Sequence, residues 1–301
     1  MELSNPTLVI AENGHEDLFH GTDDYPCVLY WCNPNRTRVD WHWHDSVEFV
    51  YVREGTLVYA AGHRRFVLEA GDCAFANSGI LHAEFAHEGT DALESDFVVC
   101  AHMLYGSTES VLYQRYFKEL LEDRTFEGCA IRAHGASWEQ NVASCIRRAR
   151  TAQADEEPFF EATVREMLTR ACLLVWEHRH DDGSEPQASP IELERVRAMV
   201  DYIHQHFAEK VEVEQLAREA HVSVRECQRE FARVIGESPS AYLLGHRLAR
   251  AADMLENTDA SVASIAMRCG FSSQSYFGRQ FRARFGHTAL DHRRLARARA
   301  D

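Results

Sequence analysis

One short pattern occurs twice in the last third of this 301-residue chain, about fifty residues apart. Residues 216–236 read LAREAHVSVRECQREFARVIG, and residues 265–286 read IAMRCGFSSQSYFGRQFRARFG. Leu216 and Ala217 align with Ile265 and Ala266, Ala220 with Cys269, and Val222 with Phe271. After one inserted residue, Ser223, Arg229, Phe231 and Gly236 fall on Ser273, Arg279, Phe281 and Gly286. Two copies are too few for a solenoid, which needs at least three units to bury a continuous core. Each copy reads instead as a short helix, a tight turn and a second helix, the form of a helix-turn-helix.

In the first copy a helix over about residues 213–220 puts Leu216, Ala217 and Ala220 on one face, and His221 and Val222 make the turn. Ser223 starts the second helix, and Glu226 three residues later completes a capping-box pattern. Cys227, Phe231, Val234 and Ile235 recur at helical spacing as a buried stripe. Arg225, Gln228 and Arg229 fall on the opposite face near the helix N-terminus, where side chains reach base edges when such a helix enters a major groove. Arginine suits guanine O6/N7, and glutamine suits adenine N6/N7. The second copy repeats the layout. Ile265, Ala266 and Cys269 pack, Gly270 and Phe271 turn, and Phe277, Phe281 and Phe285 form the stripe. Gln274, Ser275, Gly278, Arg279 and Arg282 lie on its outer face, and Gly236 and Gly286 close the two helices as left-handed residues. Between the copies, Ser238 caps and Pro239 opens a helix over residues 239–257 with an apolar stripe that includes Leu244, Leu248 and Leu255. Such a rod would fix the spacing of two readers, and successive major grooves lie roughly 34 Å apart. A helical bundle with a chance repeat is the alternative. Caps, turn residues and phenylalanines that recur in step argue against it.

The stretch over residues 191–293 resembles the DNA-binding domain of the AraC/XylS family of bacterial transcription regulators, and GFSSQSYFGRQFRARFG (270–286) looks very much like that family's signature. The resemblance implies double-stranded DNA as a partner. It puts Arg225, Gln228 and Arg229, then Gln274, Ser275, Gly278 and Arg279, at base-reading positions. Gly278 carries no side chain, so its contribution would be to allow close approach. Ala289 and His292 stand where the family usually has proline and tyrosine.

The net charge of −15 looks wrong for a DNA binder, but it is unevenly placed. Residues 190–301 hold 17 Lys/Arg against 15 Asp/Glu, whereas residues 1–189 hold 15 against 32. Within residues 261–300 there are eight arginines and one acid, and within 211–257 six basic and eight acidic residues. The second reader and the tail, including Arg282, are therefore expected to supply most of the phosphate attraction, and the first reader most of the sequence choice.

The polar, proline-bearing stretch DDGSEPQASP (181–190) reads as a linker. Ser189, Pro190 and Glu192 then read as cap, first-turn proline and capping-box acid. The expected division is a first domain over residues 1–180, the linker, and a second domain over 191–301. Residues 26–100 lack helical period and show short β-rich runs, among them CVLYWC, VEFVYV, CAFA and ESDFVVC, broken by turn signals. Many short strands at this spacing suggest a small barrel or jelly roll over about residues 20–105. Three helices over about 109–122, 137–152 and 159–180 follow. The fold class is thus α+β and multidomain, with a β-barrel and flanking helices followed by an all-α tandem helix-turn-helix domain.

Within the barrel, His42-x-His44-x3-Glu48-x6-Gly55 and Gly71-x5-Asn77-x-Gly79-x2-His82 resemble the two cupin motifs, with Asn77 in place of the usual proline. AraC/XylS regulators commonly carry such a domain. In metal cupins His42, His44, Glu48 and His82 would be the ligands, and such a donor set suits iron, manganese, nickel or zinc. Regulatory cupins often keep the pattern without a demonstrated metal. The expectation is therefore that these residues line an effector pocket or pair with one another, with no cofactor required and a divalent metal as the alternative. Trp31 and Tyr59 are further expected pocket residues. The helices after the barrel would either form a homodimer contact, as is common in the family, or simply cover the barrel.

The reading that results is a DNA-binding transcription regulator controlled by a small-molecule effector, not an enzyme. RNA polymerase is a further candidate partner. A metal-dependent cupin enzyme with an appended helical domain is the alternative. No apolar run is long enough to span a bilayer, and the N-terminus lacks a basic-then-apolar signal. The odd count of nine cysteines, scattered without paired metal spacing, is expected to stay reduced in the cytoplasm.

Overall fold

The computed structural model describes residues 21–34, 39–87, 90–180 and 189–300, so all but the last two residues of the expected linker lie outside it. The described residues form two compact units that divide between Glu194 and Arg195. In the first unit, nine strands make two sheets. The five-stranded sheet has the order β1 (Cys27–Cys32), β8 (Leu93–Val99), β3 (Val47–Glu54), β6 (Cys73–Ala76), β9 (Gly128–Ile131). The four-stranded sheet has the order β2 (Val39–His42), β7 (His82–Ala86), β4 (Thr56–Ala61), β5 (Arg64–Glu69). All pairings are antiparallel.

Strand alternation decides what each sheet buries. On β3, Val47 and Phe49 join the core formed with the helices, while Val50 and Val52 join the core between the sheets. The helical layer consists of α1 (Ala101–Tyr105), a π-helical turn over Tyr113–Phe117 that runs into α2 (Lys118–Glu122), α3 (Ser137–Ala154) and α4 (Phe160–His178). The single helix expected over 109–122 is thus interrupted. Phe117 and Leu120 are its buried residues, and Val111 is 58% exposed. Val142, Ile146 and Ala149 of α3 and Val164, Leu168 and Val175 of α4 share one core with Phe49, Phe75 and Phe97 of the sheet. The buried faces of these helices therefore cover the barrel.

Asn77, where the cupin pattern usually has proline, is buried and ties the barrel to this layer. Its amide donates to the carbonyls of Leu120 at 2.7 Å and Phe126 at 3.3 Å.

The second unit is helical: α5 (Pro190–His206), α6 (Val213–Glu219), α7 (Val224–Ile235), α8 (Pro239–Asn257), α9 (Val262–Arg268), α10 (Gln274–Phe285) and α11 (Ala289–Ala300). Ser189, Ser223, Ser238 and Ser273 each accept a hydrogen bond from the backbone N–H three residues on, which satisfies one of the donors a helix start leaves over. The capping box expected at Ser223 is only half formed, because the Glu226 carboxylate turns toward Arg229 at 3.3 Å. The two turns share one hydrogen bond: Val222 N–H to Ala217 O and Phe271 N–H to Ala266 O, both 2.9 Å. Gly270 has φ +77°, and a Cβ there would lie 2.7 Å from Phe207 O and 2.9 Å from Ala208 O, so only glycine fits. His221 takes the equivalent left-handed place with φ 55°. The last helix forms with the residues that depart from the family pattern. Ala289 is buried, and the His292 ring lies 2.8 Å from Glu256 Oε1.

Phe281 is fully buried and touches the rings of Phe277, Phe285 and His292. Phe281→Ala is expected to destabilise this unit by about 3–5 kcal/mol. Denaturant unfolding of the full chain checks this, and a loss below about 1 kcal/mol would show that the phenylalanine stripe is not the core of the unit.

Candidate functional site

The proposed readers come first. On α7 the stripe Cys227, Phe231, Val234 and Ile235 is buried, which turns Arg225, Gln228 and Arg229 outward, all exposed. On α10 the buried Phe277 and Phe281 leave Gln274, Ser275, Gly278, Arg279 and Arg282 exposed. The two faces are alike in shape and differ in charge. Arg229 leans on Glu226 at 3.3 Å and lies 3.9 Å from Glu230, and Glu230 is in turn 3.4 Å from Arg195. Arg225, Arg279 and Arg282 have no ion pair among the described residues. A Cβ built on Gly278 meets nothing within 4 Å. No neighbour in the chain requires glycine there, although glycine in mid-helix costs about 0.5–1 kcal/mol relative to alanine.

The second candidate lies inside the barrel. β2 and β7 pair His42 with His82, and the loop after β2 brings in His44. Glu48 on β3 points into the barrel from the other sheet, as Val50 and Val52 do. One ligand atom from each of these four buried residues lies within 4.8 Å of the others. The ring Nδ1 atoms of His42, His44 and His82 sit 2.9, 3.1 and 2.7 Å from the carbonyls of Asp40, Ser46 and Ile80. A carbonyl only accepts, so each Nδ1 carries its proton, and Nε2 is left as the atom that can hold a lone pair. Glu48 Oε2 is 3.2 Å from Nε2 of both His44 and His82, and the Tyr59 hydroxyl donates to Oε1 at 3.0 Å. Burial penalises the charged form of every ring, and mutual repulsion adds to it, so His42 is held well below the usual imidazole value and His44 is lowered. Burial pulls His82 down as well, but the Glu48 carboxylate outweighs it and raises His82 to about 8. The arrangement can hold one imidazolium–carboxylate pair, or a cation on three ring nitrogens and a carboxylate.

Of the expected pocket residues, Tyr59 belongs to this group and Trp31 does not. Trp31 faces the helical layer, with the Arg53 guanidinium 4.7 Å and the Arg150 guanidinium 5.7 Å from its ring. The cause is strand alternation, since Cys32 takes the barrel face of β1 and Trp31 the opposite one. Sequence reasoning also missed Cys32, Glu84, Glu94 and Asp96, all buried beside the same interior. Their only signal in the sequence is the Glu-Ser-Asp alternation in an otherwise apolar strand.

Comparison with known proteins agrees with this layout. A helix-turn-helix domain model matches residues 216–297, and a cupin domain model matches residues 29–98. An uncharacterized HTH-type transcriptional regulator of Bacillus subtilis, YdeC, is 25% identical over 96% of this chain and 98% of its own. The HTH-type transcriptional activator RhaS of Escherichia coli is 27% identical over 91% of this chain and 96% of its own. A solved transcriptional regulator with an AraC-type DNA-binding domain, from Chromobacterium violaceum, is 30% identical with a TM-score of 0.33, over 34% of this chain and 92% of its own. With a cupin domain and a tandem helix-turn-helix domain in series, and regulators as relatives along nearly its whole length, the chain belongs to the AraC/XylS family of transcription regulators.

Proposed function

We propose that α7 and α10 are recognition helices that read double-stranded DNA, and that a small molecule taken up in the cupin barrel sets how they engage it. The observation that carries the DNA half is the matched exposure of Arg225, Gln228 and Arg229 on α7 and of Gln274, Ser275, Gly278, Arg279 and Arg282 on α10, each face backed by an equivalent buried stripe. The connecting helix α8 has 19 residues. It is therefore about 28 Å long, comparable with the groove spacing two readers would need. In this reading Arg229 and Arg279 make base contacts. Arg282, with no ion pair among the described residues, serves mainly the phosphates.

The barrel acts as a binding module rather than an enzyme, which the regulators among the relatives support. An effector can shift DNA binding only by its different affinity for the two states. No helix of the described residues is long and apolar enough to cross a membrane, and the protein is proposed to work in the cytoplasm. Homodimer formation through the outward faces of α3 and α4, and contact with RNA polymerase, belong to the same proposal.

The donor set His42, His44, Glu48 and His82 also fits a divalent transition metal. Three Nδ1–H groups anchored on carbonyls aim their Nε2 atoms inward, the usual way a protein orients metal-binding histidines. Without a cation, a neutral His44 would set a lone pair 3.2 Å from the Glu48 carboxylate. A bound ion would act there as a Lewis acid for an oxygen of the effector.

Four outcomes are expected. Arg229→Ala and Arg279→Ala should each cost about 1–3 kcal/mol on specific DNA and relax preference at one base position. An equal loss on random DNA would remove the base-reading role. Arg282→Ala should instead weaken all sequences alike and lower the slope of log K against log salt by about one; an unchanged slope rules out a phosphate contact. Gly278→Ala should stabilise the free protein by about 0.5–1 kcal/mol while weakening DNA binding, as glycine kept for an outside surface requires. DNA affinity unaffected by the added methyl would show that nothing approaches that position. For the barrel, metal content after purification without chelator is compared between the native chain and His44→Ala. Metal present in the first and reduced in the second supports the ligand set, whereas metal content unchanged by His44→Ala, with intact DNA binding, leaves the four residues as a metal-free pocket.

A further inference from the structure

The barrel interior holds a second set of donor atoms, none shared with the His/Glu group. Cys32 on β1 lies directly opposite Glu94 on β8, and Asp96 follows two residues later on the same face. The Cys32 Sγ and one carboxylate oxygen from each acid all lie within 4.8 Å of one another. Glu84 on β7 reaches the group from the facing sheet, where its carboxyl group is within hydrogen-bonding reach of Glu94. Relative exposure is 6% for Cys32, 2% for Glu84, 0% for Glu94 and 4% for Asp96.

These acids lack the partners that buried carboxylates need. Among the described residues no N–H or O–H donor reaches either oxygen of Glu94, Oδ1 of Asp96 or Oε2 of Glu84; Glu84 and Glu94 lie within hydrogen-bonding reach of each other, and the Cys32 thiol is within reach of Asp96. No lysine or arginine is among the buried residues of the described chain, and the Glu48 carboxylate draws on His44 and His82. Ionised carboxylates left this way in a dry interior carry a heavy desolvation penalty on top of their mutual repulsion. Three acids and a thiol on inward positions of apolar strands break the local pattern, and such breaks are expected at functional sites.

We propose that Cys32, Glu84, Glu94 and Asp96 form a second, thiolate-containing site for a divalent cation, which joins β1 and β8 of one sheet to β7 of the other. The donor chemistry narrows the ion. Magnesium and calcium take all-oxygen shells, whereas one thiolate with carboxylates suits zinc and the ions that mimic it. Zinc holds sulfur at about 2.3 Å and carboxylate oxygen at about 2.0–2.2 Å in a tetrahedral shell, so two such donors on one ion lie roughly 3.3–3.7 Å apart. The donors here lie within 4.8 Å of one another, and side-chain rotation would draw them together by up to roughly 1–1.5 Å on binding. A thiol and carboxyl groups bind a cation only as their protons leave, so loading of this site would release protons.

Cobalt(II) titration of the full chain, stripped of metal, tests the site, because a cobalt–thiolate bond gives a charge-transfer band in the near-ultraviolet that nitrogen and oxygen ligands do not. The band is expected in the native chain, unchanged in His44→Ala, absent in Cys32→Ser, and reached at tenfold or more higher cobalt in Glu94→Gln. No band in the native chain, or a band that survives Cys32→Ser, overturns the assignment. Zinc X-ray absorption on the native chain needs no variant to fold: sulfur in the zinc shell supports the site, and a shell of nitrogen and oxygen alone overturns it.

Discussion

A strand offers its side chains only two directions, and in the first unit nearly everything functional depends on that. One face of the five-stranded sheet packs on α3 and α4 through Phe49, Phe75 and Phe97, and the other closes on the four-stranded sheet. A residue at an odd or even position on β3 or β8 is thereby assigned to a helix-covered core or to the barrel interior. Glu48, Glu94 and Asp96 fall on the interior side. The cost of burying them is met by Tyr59 and two histidines for Glu48, and by no N–H or O–H donor among the described residues for Glu94.

The second unit obeys a different rule. Its helices are short, so their stability rests on packing of one stripe and on satisfied ends rather than on intrinsic propensity. Serine caps, left-handed closing glycines and a stripe of phenylalanines supply these twice over. The outer faces are then free to differ, and they do. Arg229 is engaged by Glu226, while Arg279 and Arg282 have no ion pair among the described residues, a difference that fits the proposal of a first reader tuned for choice and a second tuned for attraction.

How much of this could be read from sequence follows the same divide. Caps, turns and stripes are local signals, and the expected helix over 239–257 coincides with α8. In the barrel, the runs at β1, β3, β4, β5, β6 and β8 are visible through their apolar and β-branched residues. β2 and β7 are not, since their inward histidines and acids interrupt the pattern, and β9 has only four residues with a glycine at its start. The His/Glu group was legible through motif spacing. Cys32 and Glu94 were not, because they are 62 positions apart and meet only through the β1–β8 register. Trp31 was assigned to the pocket from proximity in sequence, which does not distinguish the two faces of one strand.

Asn77 shows how the barrel and the helical layer constrain each other's chemistry. Its amide caps Leu120 in the last turn of α2, where carbonyls have no helical partner, and also Phe126 beyond it. Proline at this position would remove both donors and leave two carbonyls bare inside the protein. A barrel from a relative that carries proline here could therefore not be grafted onto these helices unchanged. The turn and the helix end form one heritable unit, though 43 residues separate Asn77 from Leu120 in sequence.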